Sequence, residues 1–180
     1  MKSVIKGFWI ILACLISHSL FAQLHLKVSP LGLTWTSPEF SVEYALRPNV
    51  GLELNAGANA YWLNRAANSY RWTQGANLNL RYYLSPTQSL DGWYVGHYAR
   101  AKIISANLDD RQRAQAVALG ALVGFQDVSG RLVCDFTFGG GYKVYHKFPN
   151  SGWLTIGLYE ARYDVFARAT LGYRLFTKDQ

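Results

Sequence analysis

Ten ionisable side chains fall in the polar phase of alternating segments: Lys27, Glu43, Glu53, Arg81, Arg100, Lys102, Asp135, Lys143, Arg168 and Arg174. A period of two sends successive side chains to opposite sides of a pleated strand, so these ten share one face of a sheet. If that face is enclosed, seven cations and three carboxylates have two uses. They can pair and fill the interior, since an isolated buried ion is strongly penalised. Alternatively, their cationic excess can line a hydrated path that favours anions. Closure by about eight strands leaves room mainly for side chains, which favours a filled interior.

Other reactive residues are sparse. After an N-terminal leader, the histidines are His25, His97 and His146. None has a partner at metal-ligand spacing, so neither a metal nor another cofactor is expected. His97 lies in an apolar phase close to aromatic residues. His146, Ser151 and Glu160 offer the residue types of a Ser/His/acid hydrolase such as a lipid A deacylase, but no nucleophile motif surrounds Ser151. Gly139-Gly140-Gly141 lacks the Lys-Ser/Thr and helix of a phosphate loop, and small residues facing bulky ones explain it more simply. Cys134, the single cysteine beyond the leader, reads as a small apolar strand residue. No catalysis is expected.

These residues must be positioned by strands. The clearest is Val50 to Trp62, where Val50, Leu52, Leu54, Ala56, Ala58, Ala60 and Trp62 alternate with Gly51, Glu53, Asn55, Gly57, Asn59 and Tyr61. The run exceeds the usual soluble strand and matches the roughly nine to eleven residues of a tilted membrane strand. Seven further segments follow the same logic: about Leu24–Leu33 (with a bulge expected at Ser29-Pro30), Phe40–Leu46, Trp72–Leu84, Trp93–Asn107, Gln115–Val128, Leu132–His146 and Asp164–Phe176. Arg47–Asn49, Ser85–Gly92 and Ser129–Gly130 are the connections on one side. Leu63–Arg71, Asp109–Arg111 and Phe148–Tyr163 fall on the other and are generally longer. An even strand count with this asymmetry is expected of an outer-membrane barrel.

Residues 1–22 read as a secretory signal: Lys2 and Lys6, an apolar run from Gly7 to Leu20, then Leu20-Phe21-Ala22 before a cut at Gln23. A lone membrane helix or lipid attachment at Cys14 are the rival readings. Residues 23–180 then form one domain, with no repeat or second domain marked by composition. The 180-residue chain carries 18 Lys+Arg against 11 Asp+Glu, and without the two leader lysines the ratio is sixteen to eleven. That surplus is scattered, which argues against nucleic acid as a partner.

Two barrels fit eight strands. A soluble lipocalin-like barrel turns its apolar face to a ligand cavity, whereas a membrane barrel turns it outward. Glycines beside long charged residues on the polar face fit a narrow interior. Trp62, Trp72, Tyr82, Trp93, Phe125, Tyr142 and Tyr173 near the ends of the apolar faces fit two headgroup zones. The inside-out arrangement is therefore favoured.

The segments Pro38–Leu46 leading to Val50–Leu54, Leu78–Leu84, Gly92–Gly96 and Phe138–Tyr142 resemble a small outer-membrane β-barrel family of Bacteroidota of unknown function. That family is similar in architecture to eight-stranded OmpA- and OmpX-type barrels. The resemblance covers most of residues 23–180 and implies no activity.

The combined expectation is an all-β, antiparallel up-and-down transmembrane β-barrel of about eight strands. It would be a monomer in the outer membrane of a Gram-negative bacterium, with outer-membrane lipids as its surroundings. Its role would be structural or surface-interacting, with any partner recognised by the extracellular loops. A narrow anion or small-solute channel, a lipid A-modifying enzyme and a soluble periplasmic lipid carrier are the alternatives.

Overall fold

The computed structural model describes residues 23–30, 38–64, 69–87, 89–106, 113–147 and 162–175. Eight strands account for nearly all of them: β1 (Leu24–Val28), β2 (Glu39–Arg47), β3 (Val50–Asn64), β4 (Ser69–Tyr83), β5 (Gly92–Ala106), β6 (Arg113–Ser129), β7 (Leu132–Lys147) and β8 (Tyr163–Arg174). Each pairs antiparallel with its sequence neighbour, and β1 pairs with β8 to close the barrel. That closing pair joins His25–Val28 to Leu171–Arg174.

Alternation decides which side chain goes where. In β2, Ser41, Glu43 and Ala45 are buried, whereas Phe40, Val42 and Leu46 are exposed. The register carries this phase from strand to strand: Glu43 pairs with Glu53, Glu53 with Asn79, and Asn79 with Tyr98. All four side chains are consequently interior. The outer wall is apolar, with Trp93 61 % and Val165 77 % exposed. Tyr82, Trp93, Phe125, Tyr142 and Tyr173 all lie on it, and Trp93 and Phe125 pack together with ring centroids 5.3 Å apart. The side chains of Trp62 and Trp72 lie outside the described residues.

Three short connections gather at one end. Pro48-Asn49 joins β2 to β3, residues 84–91 join β4 to β5, and Gly130-Arg131 joins β6 to β7. Gly130 has φ +61°, a conformation that glycine adopts without a Cβ penalty and that suits a two-residue hairpin. The β1 start and β8 end lie at this same end, since Leu175 N–H donates to the Leu24 carbonyl.

Several boundaries differ from those read in the sequence. β1 stops at Val28, before the bulge expected at Ser29-Pro30, and residues 31–33 lie outside the described residues. The Ser29 N–H makes one more bond to the Glu39 carbonyl, but Pro30 has no N–H with which to extend the ladder. β3 and β4 run further toward each other than expected, reaching Asn64 and Ser69 and narrowing the polar connection to 65–68. β8 ends at Arg174 rather than Phe176. The leader 1–22, Cys14 within it, and residues 148–161 of the last long connection lie outside the described residues.

Candidate functional site

The lumen side chains form two tiers. The tier nearer the short turns combines three cations, Lys27, Arg81 and Arg168, with three carboxylates, Glu43, Glu53 and Asp135. All six are buried. Lys27 on β1 places Nζ 2.7 Å from Glu43, 3.0 Å from Asp135 and 3.4 Å from Glu53. Arg81 on β4 pairs with Glu53, with Asp135 at 3.0 Å and with Glu43 at 3.4 Å. Arg168 on β8 donates from Nη2 to Glu53 at 2.6 Å.

Equal numbers of opposite charges make this tier neutral. That is the condition under which buried ions are tolerable, since each attraction offsets a desolvation cost. Neutral donors add to it. Tyr83 and Tyr94 hydroxyls donate to Glu43 at 2.8 Å and Asp135 at 2.6 Å, and Asn79 donates to Glu53 at 2.7 Å. The Arg81 guanidinium also lies over the Tyr94 ring, 4.5 Å from its centroid.

Below this tier the barrel is capped by its own turn. Leu90, in the β4–β5 connection, is fully buried with φ +59°. Its N–H donates to the Pro48 carbonyl at 3.1 Å, and its carbonyl accepts from Gln126 Nε2 at 2.5 Å. Gln126 also reaches His25 Nδ1 at 3.2 Å, and His25 in turn lies 3.6 Å from Glu43. Ala45, Tyr83 and Tyr94 pack with Leu90 as an apolar cluster. The lumen is thus closed by side chains at this end.

The second tier sits toward the longer connections and centres on Asp164 of β8. Arg100 Nη1 approaches it at 3.2 Å and Lys102 Nζ at 2.9 Å. Tyr98 donates to the same carboxylate at 3.1 Å. Arg100 is held further by Asn77, which accepts from Nε at 2.7 Å, and by the Phe166 ring 3.8 Å below its guanidinium. Lys143 of β7 is buried at the same end. Glycines make room for these rings. A Cβ on Gly120 would meet Tyr98 Cε1 at 2.5 Å, and one on Gly141 would meet the Tyr98 hydroxyl at 2.7 Å. Gly139 lies under Phe166, whereas Gly140 faces outward.

All ten residues singled out by alternation face the lumen. Lys27, Glu43, Glu53, Arg81, Asp135 and Arg168 meet in the first tier, and Arg100, Lys102 and Lys143 belong to the second. Arg174 stands apart at the short-turn end, donating to the Gly130 carbonyl. Sequence reasoning omitted Asp164, His25, Gln126 and Leu90. Phase alone places Asp164 two positions from Phe166 and His25 two from Lys27, so both were accessible to the same rule. No pattern marks an apolar turn residue such as Leu90 as a cap.

His97 is exposed on the outer wall, and Cys134 on the outward phase is half-buried. The side chain of His146, and Ser151 and Glu160 entirely, lie outside the described residues. A groove of about 510 Å³ on the outer wall, lined by Phe40, Ala56, Ala76, Ala101 and Ile103 among others, contains no titratable group. Among the described residues no group of three His, Cys, Asp or Glu is placed to hold a metal.

No curated protein matches the chain. A family described as "Protein of unknown function (DUF3575)" matches residues 8–153, which spans β1 to β7 and ends before β8. Because that match covers most of the sequence, the chain belongs to the DUF3575 family.

Proposed function

We propose that this protein is a monomeric outer-membrane β-barrel with a structural or surface-interaction role and a lumen sealed by its own side chains. Reversed polarity carries the reading: large apolar residues such as Phe40, Leu54, Phe138 and Val165 are exposed on the wall, while the ion network is interior. A water-soluble barrel of this size would expose an apolar surface far beyond the few hundred Å² tolerated by monomers. Most strand lengths also fit, although β1 is described over 5 residues and β2 over 9. β3 to β7 run 15 to 17 residues and β8 runs 12, more than the roughly nine to eleven needed to cross a hydrocarbon core.

The eight-stranded closed barrel supports reading it as a small barrel of the OmpA/OmpX type, in keeping with the resemblance to Bacteroidota barrels. Export would use residues 1–22 as a signal, leaving 23–180 in the membrane. The short turns then face the periplasm and the longer connections face outside. The neutral first tier and the Leu90 cap argue against a conduit, and no step of catalysis is assigned.

Envelope fractionation with gel mobility tests the proposal. The protein should partition with the outer membrane and migrate differently in detergent before and after boiling. Recovery in the soluble periplasmic fraction, with one mobility under both conditions, would overturn it.

A further inference from the structure

The Leu90 cap is tied to the barrel wall through one side-chain amide. Gln126 Nε2 donates to the Leu90 carbonyl at 2.5 Å and meets His25 Nδ1 at 3.2 Å. Its Oε1 accepts from Lys27 Nζ at 2.5 Å, which fixes the amide's orientation. Turned over, the group would set its NH2 against an ammonium and its oxygen against a carbonyl. His25 Nδ1 is therefore the acceptor of this pair, and a neutral ring carries its proton on Nε2. Leu90 depends on such bonds, because its backbone is left-handed at φ +59°, a conformation that only glycine adopts freely.

The imidazole stands between two partners. Glu43 Oε2 lies 3.6 Å from the same Nδ1. That oxygen is 2.7 Å from Lys27 Nζ but accepts no well-directed hydrogen bond, and His25 Nε2 makes none either. His25, Glu43 and Gln126 are all fully buried. A neutral ring thus serves Gln126 and leaves both the Nε2 proton and the Glu43 oxygen unmet. Adding a proton reverses the preference. Nδ1–H would face the Gln126 NH2 donor to donor, and would gain a charge-assisted bond by turning to Glu43.

The other ionisable groups around the ring frame this choice. Arg174 of β8 is its register partner, and Lys27 lies two residues along β1. Arg81 and Tyr83 of β4 both engage Glu43 Oε1, leaving Oε2 toward the ring. Asp135 of β7 is held by Lys27 and by Tyr94 of β5. Glu43 is the carboxylate that the ring reaches.

We propose that the short-turn end of the barrel carries an acid-sensitive latch, in which protonation of His25 moves its Nδ1 from Gln126 to Glu43 and loosens the Leu90 cap. One proton is taken up from water, and no covalent bond other than its N–H is formed. Gln126 must withdraw from the new donor, and the amide that withdraws is the one holding the Leu90 carbonyl. The ion tier beyond the cap stays in place, so the latch opens the mouth of the barrel and not a passage through it. The device belongs to the closed end of the barrel and holds whatever medium surrounds the outer wall.

Nitrogen-resolved magnetic resonance tests it on the full chain, labelled with nitrogen-15 and folded in detergent micelles. The sample is taken from about pH 8 to about pH 5, the interval in which histidine side chains ordinarily change charge. The His25 ring nitrogens, the Gln126 side-chain amide and the Leu90 backbone amide should change together, with one midpoint. Protection of the Leu90 amide from solvent exchange, corrected for the intrinsic effect of pH, should fall at least about tenfold. Strand amides of β5 and β6 should keep their positions. In His25→Gln the Gln126 and Leu90 signals should no longer respond, whereas His97→Gln, altered on the outer wall, should behave as wild type. A ring that stays neutral throughout overturns the latch. So does a ring that gains its proton without any change at Gln126 and Leu90, or a Leu90 response that survives in His25→Gln. Loss of the whole strand spectrum in acid would mean general unfolding and would equally overturn it.

Discussion

Arg168 on β8 reaches across the lumen to Glu53 on β3, closing to 2.6 Å between residues 115 apart in sequence. Neither strand neighbours the other in the sheet. The bond therefore forms only when the barrel has closed with the correct stagger, and it ties the last strand to the third.

Removing one partner of such a buried pair strands the other. Arg81→Ala leaves Glu43, Glu53 and Asp135 short of a cation they share. We expect a loss of about 3–5 kcal/mol of folding stability. Urea unfolding in lipid vesicles checks this. Lys102→Ala should cost far less, because that side chain is partly exposed and its ion pair is screened.

A lumen filled in this way should not conduct. In planar bilayers the wild type should give no reproducible current steps, and a Lys27→Ala/Arg81→Ala variant should give more leakage than wild type. A steady anion current through the wild type, altered by Arg100→Ala or Arg168→Ala, would revive the conduit reading.

Leu90 sets two effects against each other. Leu90→Ala keeps a Cβ in the left-handed backbone and loses the buried side chain, a cost of about 2–5 kcal/mol for such truncations. Leu90→Gly loses the same packing but relieves the backbone, which favours glycine at positive φ by about 1 kcal/mol. The glycine variant should therefore be the more stable of the two, despite its smaller side chain. Paired unfolding curves decide the order.

Gly120 has no room for a side chain. Its Cβ would lie 2.6 Å from Gly141 Cα as well as against Tyr98. Gly120→Val should destabilise the barrel by about 1–3 kcal/mol or more, whereas Gly140→Val, at an outward position with nothing within 4 Å, should cost much less. A smaller loss at Gly120 than at Gly140 would contradict the packing described.

Much of this architecture was legible because a single rule, the period of two, governs almost every residue. It placed Glu43, Glu53, Arg81, Asp135 and Arg168 inside and Leu54, Trp93 and Phe125 outside. It failed at ends. Pro30 stops β1 by lacking an N–H, and the polar composition of 63–71 hid the extension of β3 and β4. Which cation meets which carboxylate was not legible. Lys27 and Asp135, 108 positions apart, meet across the lumen because of the stagger at closure, which no local pattern encodes. Leu90 was illegible for a related reason, since its burial depends on Gln126 and Pro48 being opposite.

The central claim is that the apolar wall faces lipid. Its most direct test attaches an environment-sensitive fluorophore at Leu54→Cys, an outward position on β3, in a Cys134→Ala background and in phospholipid vesicles. Brominated acyl chains should quench the label strongly and aqueous iodide should leave it bright. Efficient quenching by iodide, with no response to the brominated lipid, would contradict the account.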